Sequence, residues 1–269
     1  MRVIGEGARA LTGSMLVLAL AACGGGATAP QGTRAARDTP DTLAYCTAKM
    51  AFETAPSPQA DFQNGTPAEL AEAGRTYATT TMRPILNDLL ATAPAEVLDS
   101  YNVLNKGVTQ FEATGDFFLF NAPEYGTAQT TTHLFDRANC GWTRVDVAAT
   151  DFAFAGVPST LPAGTTLSFD LANQSDSEIH EIAIFKMSDD ATEPIKTVLD
   201  SKDEDIKQQA TLVASALAAP DNSAYKVTEL APGNYAMVCT VHVGATPKNP
   251  QGTGPKHYTK GMLTEFTVE

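Results

Sequence analysis

The chain has 269 residues, which allows one large domain or two modest ones at roughly 100–200 residues each. With 43% hydrophobic and 18% charged residues it can build packed cores and is not a disordered, solvating polymer. The net charge is −13, and both halves share it: 5 basic and 12 acidic residues over 41–140, then 9 and 17 over 141–269. That excludes a basic footprint for nucleic acid in either half.

Arg2 and Arg9 precede a twelve-residue, mostly apolar stretch, Leu11–Ala22. It is shorter than the ~20 residues a membrane span needs and fits the apolar core of an export signal. The stretch closes Leu20-Ala21-Ala22-Cys23, which resembles the lipobox of bacterial lipoproteins. The resemblance implies that 1–22 is a removable signal peptide and that Cys23 becomes an acylated N-terminus. Residues 23–40, opening Gly24-Gly25-Gly26, have tether composition. The expected location is outside the cytoplasm, lipid-anchored to a bacterial membrane.

Residues 41–141 read as a small helical bundle. An opening helix is expected near Leu43–Thr54. Thr66-Pro67-Ala68-Glu69 is a capping box with proline at the first helical position. Pro84 should kink or restart that helix, with Ile85, Leu86, Leu89 and Leu90 as its apolar stripe. Another helix fits Pro94 to Ala113, burying Val97, Leu98, Tyr101 and Leu104 and stopping at Gly115. The last fits Pro123 to Asn139, closed by Gly141. His133 and Asp136, three apart on that helix, share a face; without a second inward cluster they read as a surface pair rather than a metal site.

From Trp142 the hydrophobic period becomes two. Val145 and Val147, Phe152 and Phe154, then Leu167, Phe169 and Leu171 alternate with polar or small residues. Ile179–Met187, Tyr235–Val241 and Phe266–Val268 complete a strand set broken by proline and glycine turns. This is the pattern of a β-sandwich over 142–269. Residues 189–219 interrupt it, acidic at first and then helical in pattern (Ile206, Leu212, Val213, Leu217), and read as a helical insertion with a solvated acidic face.

With Cys23 lipidated, three cysteines remain. Cys46 and Cys140 bracket the bundle and are expected to form a disulfide, since either other pairing would cross domains. Cys239 is then an odd thiol in an oxidising compartment, to be protected by burial or by a metal. His180 opens one strand, Cys239 lies at the end of another, and His257 and Met262 precede the last. One thiolate, two imidazoles and a thioether are the donors of a mononuclear blue-copper site.

Phe169-Asp170-Leu171-Ala172-Asn173 leading to His180-Glu181 resembles the first-ligand region of cupredoxins. Pro232-Gly233-Asn234-Tyr235 leading to Cys239, then His257 with four residues before Met262, resembles their C-terminal ligand loop. The resemblance implies a two-domain α+β chain, a helical bundle followed by a cupredoxin-like Greek-key sandwich. It implies one copper ion held by His180, Cys239, His257 and axial Met262. A leading helical domain of this kind resembles that of actinobacterial lipoproteins. One departure stands out: seventeen residues, 240–256, separate Cys239 from His257, where cupredoxins place only a few. Closing the longer loop costs about 2 kcal/mol, small beside the ~10–16 kcal/mol of a structural metal site. His242 offers the shorter spacing as an alternative ligand, with Pro247 where methionine would be needed.

There is no Walker loop, dinucleotide glycine fingerprint or nucleophile elbow, and His180-Glu181 lacks the second histidine of a zinc-protease helix. Four histidines cannot build a trinuclear copper cluster. The sequence therefore predicts no enzyme. It predicts a membrane-tethered single-electron carrier whose partner is another exported redox protein. Copper storage or delivery to a copper acceptor, through an open loop with His242, and a metal-free interaction module are the alternatives.

Overall fold

The computed structural model describes residues 40–56 and 65–269. The expected signal peptide, Cys23 and nearly all of the expected tether lie outside the described residues. No helix among the described residues is long and apolar enough to cross a membrane.

Among the described residues, five α-helices form the first half: α1 (Pro40–Glu53), α2 (Pro67–Tyr77), α3 (Arg83–Thr92), α4 (Ala95–Thr114) and α5 (Pro123–Asn139). The capping box forms as expected, the Thr66 hydroxyl accepting from Glu69 N while the Glu69 carboxylate accepts from Thr66 N at 2.8 Å. Pro84 has no N–H to offer the preceding turn, and residues Ala78–Met82 widen into a π-helical turn that carries α2 into α3. Gly115 ends α4 in the left-handed region, at φ 68°; a Cβ there would fall 1.8 Å from Ala71 O, so only glycine lets α2 and α4 approach so closely. The core gathers Leu86, Leu89, Val97, Tyr101, Leu104 and Val108. Leu98, expected among them, points outward at 38% exposure, because the buried stripe continues through Gly107, Val108 and Phe111 instead. Cys46 and Cys140 are bonded, tying α1 to the end of α5.

Nine strands follow: β1 (Thr143–Thr150), β2 (Ala153–Ala155), β3 (Thr160–Leu161), β4 (Thr166–Asn173), β5 (His180–Met187), β6 (Ala210–Ala218), β7 (Ser223–Glu229), β8 (Gly233–Val238) and β9 (Leu263–Val268). They make two sheets, ordered β2-β1-β4-β7 and β3-β9-β8-β5-β6. The pairs β1–β4 and β3–β9 are parallel and the rest antiparallel. Inward residues of both sheets share one core, with Val145, Val147, Phe169 and Leu171 facing Ile182, Ile184, Tyr235 and Met237. The segment after β5 corrects the expected helical insertion. Only two short helices occur there, α6 (Ile195–Asp200) and α7 (Glu204–Lys207). Residues 210–218, including Leu212, Val213 and Leu217, form an edge strand along β5, where backbone pairing overrides their helical spacing.

His133 and Asp136 are not a surface pair. Both are buried, and α5 lies against the outer face of the first sheet, where His133 Nε2 is 2.9 Å from Asp170 Oδ1. Asp136 turns into the bundle and accepts from the Tyr45 hydroxyl at 2.5 Å.

Candidate metal centre

β8 lies between β5 and β9 in its sheet, and it runs antiparallel to both. The start of β5, the end of β8 and the start of β9 therefore meet at one edge. His180 is the first residue of β5, Cys239 follows the last residue of β8, and Met262 immediately precedes β9. Strand pairing alone brings these three together, from eighty-three positions of sequence. His257 arrives on a short 3₁₀ turn, His257–Lys260. Backbone bonds clamp it: Cys239 N donates to Met262 O at 3.1 Å, Tyr258 N to Cys239 O at 3.0 Å, and His257 N to Val241 O at 2.8 Å.

The side chains converge. His180 Nδ1 is 3.2 Å from His257 Nδ1, which is 3.3 Å from Cys239 Sγ. All three residues are wholly buried, and one donor atom from each lies within 4.8 Å of the others. Met262 is likewise buried, in the cluster that holds Cys239. The outward nitrogens, His180 Nε2 and His257 Nε2, lack an aligned hydrogen-bond partner although both are buried. His242 stays outside this group: it is exposed, and its Nδ1 is 2.7 Å from Gly254 O.

The long 240–256 loop folds back on itself, so its two ends meet. His242 bridges to Lys256, Val243 N donates to Pro255 O at 3.0 Å, and Thr253 and Gly254 donate to Val243 O. Ala245 is buried against Ile179 and Leu217, and Ile179 N donates to Ala245 O at 2.9 Å. The loop thus caps the histidines.

Around the donors, the Glu181 backbone N–H points at Cys239 Sγ at 3.3 Å, and its carboxylate accepts from the Thr240 hydroxyl at 2.5 Å. Phe152 sets its ring edge-on to His257, with centroids 5.2 Å apart. Burial pushes the Cys239 thiol up to about 12 and the Glu181 carboxyl up as well. Burial pulls both imidazoles down, and His257 beside His180 adds to the effect there. Burial thus favours the neutral forms of the thiol and of both rings when no cation is present. Sulfur and imidazole donors of this kind, wholly buried, suit copper or zinc. The sequence did not point to Glu178, Asp151 or Thr240. The only local signal was Glu178 two residues before His180, on the same side of an extended chain.

No protein-family model and no curated protein matches this chain. Among solved structures, the second half is similar to reduced auracyanin from Roseiflexus castenholzii, at 22% identity, covering 47% of this chain and 97% of that one, with a TM-score of 0.33. Auracyanin A of Chloroflexus aurantiacus, described as a "blue" copper protein, is 18% identical over 48% of this chain and 100% of its own, with a TM-score of 0.30. Rusticyanin from Thiobacillus ferrooxidans is 18% identical over 47% and 76%, with a TM-score of 0.31.

Proposed function

We propose that the chain is a copper-binding single-electron carrier, with one ion held by His180, Cys239 and His257 and a weaker axial contact from Met262. The observation that carries this reading is the convergence of one sulfur and two ring nitrogens, wholly buried, at the meeting point of three strands and a turn. A packing role for Cys239 alone would not place an imidazole nitrogen 3.3 Å from its sulfur, with a second 3.2 Å beyond. Copper bound there supplies a one-electron couple. The chain's own part is to hold the donors still in both oxidation states, a role supported by the backbone bonds among Val241, Cys239 and Met262, and to exclude water, a role supported by the complete burial of the three side chains. The closed loop favours a carrier over a storage protein, whose site has to open readily for delivery.

Lys248, Lys256 and Lys260 lie on the capping loop and the ligand turn of an otherwise acidic protein. They favour an acidic, exported redox protein as the partner, with an encounter rate that falls with salt. The Leu-Ala-Ala-Cys23 sequence supports a lipid anchor that keeps the carrier at a membrane surface. The test is to add Cu(II) to the purified protein. An intense thiolate-to-copper absorption, lost in Cys239→Ser, is the expected result; a colourless protein would refute the reading.

A further inference from the structure

Two carboxyl groups outside the donor set stand at the outward nitrogens of the two histidines. Glu178 Oε2 is 3.5 Å from His257 Nε2, and Asp151 Oδ1 is 3.4 Å from His180 Nε2; both are ion-pair approaches that a small turn of the carboxyl would convert into an aligned hydrogen bond. They are held very differently. The Asp151 side chain is 52% exposed and free to turn to water. The Glu178 side chain is only 15% exposed, and both its oxygens accept from Gly244 N at 3.0 Å. Its backbone is fixed too: Glu178 N donates to Ser175 Oγ at 2.9 Å, and Glu178 O accepts from Asn173 Nδ2 at 2.8 Å. Gly244 belongs to the capping loop. One carboxyl group therefore touches the cap and faces a ring of the candidate centre.

An imidazole with one nitrogen toward a carboxylate keeps its proton there and leaves the other nitrogen's lone pair free. For His257 the free nitrogen is Nδ1, the one that faces Cys239 Sγ. We propose that Glu178 is a positioning residue for this centre, fixing the Nε2–H tautomer of His257 with Nδ1 turned inward and latching the 240–256 loop over the ring. The tautomer and latch stand on the chain's own geometry, while the redox consequence rests on the copper reading. A fixed negative charge beside a ligand stabilises the more positive, oxidised centre and so lowers the reduction potential.

The test uses purified full-length protein and two variants. Glu178→Gln keeps the side-chain volume and an oxygen for Gly244 N; Glu178→Ala removes both and serves if the first is uninformative about the latch. In metal-free wild-type protein, long-range ¹H–¹⁵N spectra should show the His257 proton on Nε2. Both variants should shift population toward Nδ1–H, and Glu178→Ala should also speed amide exchange at Gly244. In copper-loaded Glu178→Gln, the Cu(I):Cu(II) ratio at a fixed potential should rise about threefold, or about 28 mV at 59 mV per tenfold. An unchanged His257 tautomer in both variants, or an unmoved potential in Glu178→Gln, overturns the proposal. Wild-type protein that takes up no copper overturns the copper reading instead, and the tautomer spectra then judge Glu178 alone.

Discussion

The imidazole of His133, on the last helix of the bundle, lies flat on the phenol ring of Tyr225 on β7, with centroids 3.5 Å apart and planes 6° from parallel. The same imidazole is bonded to Asp170 on β4, which also meets Arg137 at 3.0 Å. The bundle is therefore fastened to the sandwich through a buried polar interface. On α1, Lys226 Nζ of β7 reaches Glu53 O at 2.6 Å, adding a second attachment. Just inside the bundle, Tyr45 bonds both Asp136 and Tyr101, and Lys49 pairs with Glu53 at 2.9 Å. Buried ionic groups of this kind are costly to leave unpaired, which favours a single docked arrangement of the two halves.

Two carboxyl groups near this interface should respond to pH in opposite directions. Burial holds the Asp136 carboxyl above its ordinary range, outweighing Lys49 at 3.7 Å. A carboxyl protonated in the folded chain and ionised in the unfolded one gives up stability as pH rises from about 4 through the raised native value. Burial also pushes Asp170 upward, but hydrogen bonds from His133 and Ser168 and the charge of Arg137 overcome it and hold it low. Its contribution is present above about pH 4 and is lost as pH falls further. In urea titrations, Asp136→Asn should gain on wild type as pH rises above about 4, by at most about 1.4 kcal/mol per pH unit. Asp170→Asn should show its largest deficit near neutrality and a shrinking one below about pH 4. Parallel curves for wild type and Asp136→Asn would show that the carboxyl is not held high.

The disulfide gives a second prediction. It joins residues 94 apart, and in the chain-entropy model closing such a loop stabilises by about 4–5 kcal/mol. The double variant Cys46→Ala, Cys140→Ala should lose stability of that order in denaturant, with helical signal falling before the sandwich unfolds. A loss below about 1 kcal/mol would mean that the unfolded chain keeps the two ends close without the bond.

Much of this was legible in local sequence because local chemistry decides it. The capping box at Thr66, the proline starts of α2 and α5, and Gly115 act within a few residues. The meeting of His180 and Cys239 was legible too, since strand ends set by turn residues place them side by side. What failed depended on distant partners. The run Ala210–Ala218 carries helix-compatible spacing and became a strand because β5 offered a free edge. His133 and Asp136 read as a surface pair because the sheet that buries His133 lies some forty residues onward. Glu178 and Asp151 carry no motif; only the folded loop and the β1–β2 turn show what they face.

The capping loop supplies the last prediction. Gly252 sits at φ +58°, and a Cβ there would lie 2.6 Å from His242 O and 2.9 Å from Ala245 N. Both are backbone atoms of the loop's own folded core, so the clash has no flexible side chain to absorb it. Left-handed strain on a non-glycine residue costs roughly 1–2 kcal/mol per residue, a factor of about 5–30 in an opening equilibrium. Gly252→Ala should therefore speed amide exchange at Thr253 and Gly254, both bonded to Val243 O, by that factor. Global stability should change less, because β5, β8 and β9 do not depend on the loop for pairing. Copper(II) uptake by metal-free protein should quicken in parallel if the loop gates the donors. Gly164→Ala is the control: its φ is +65°, nothing lies within 4 Å of its Cβ, and it is on a different turn. Equal exchange rates in the two variants would mean that the loop is not held closed by this packing.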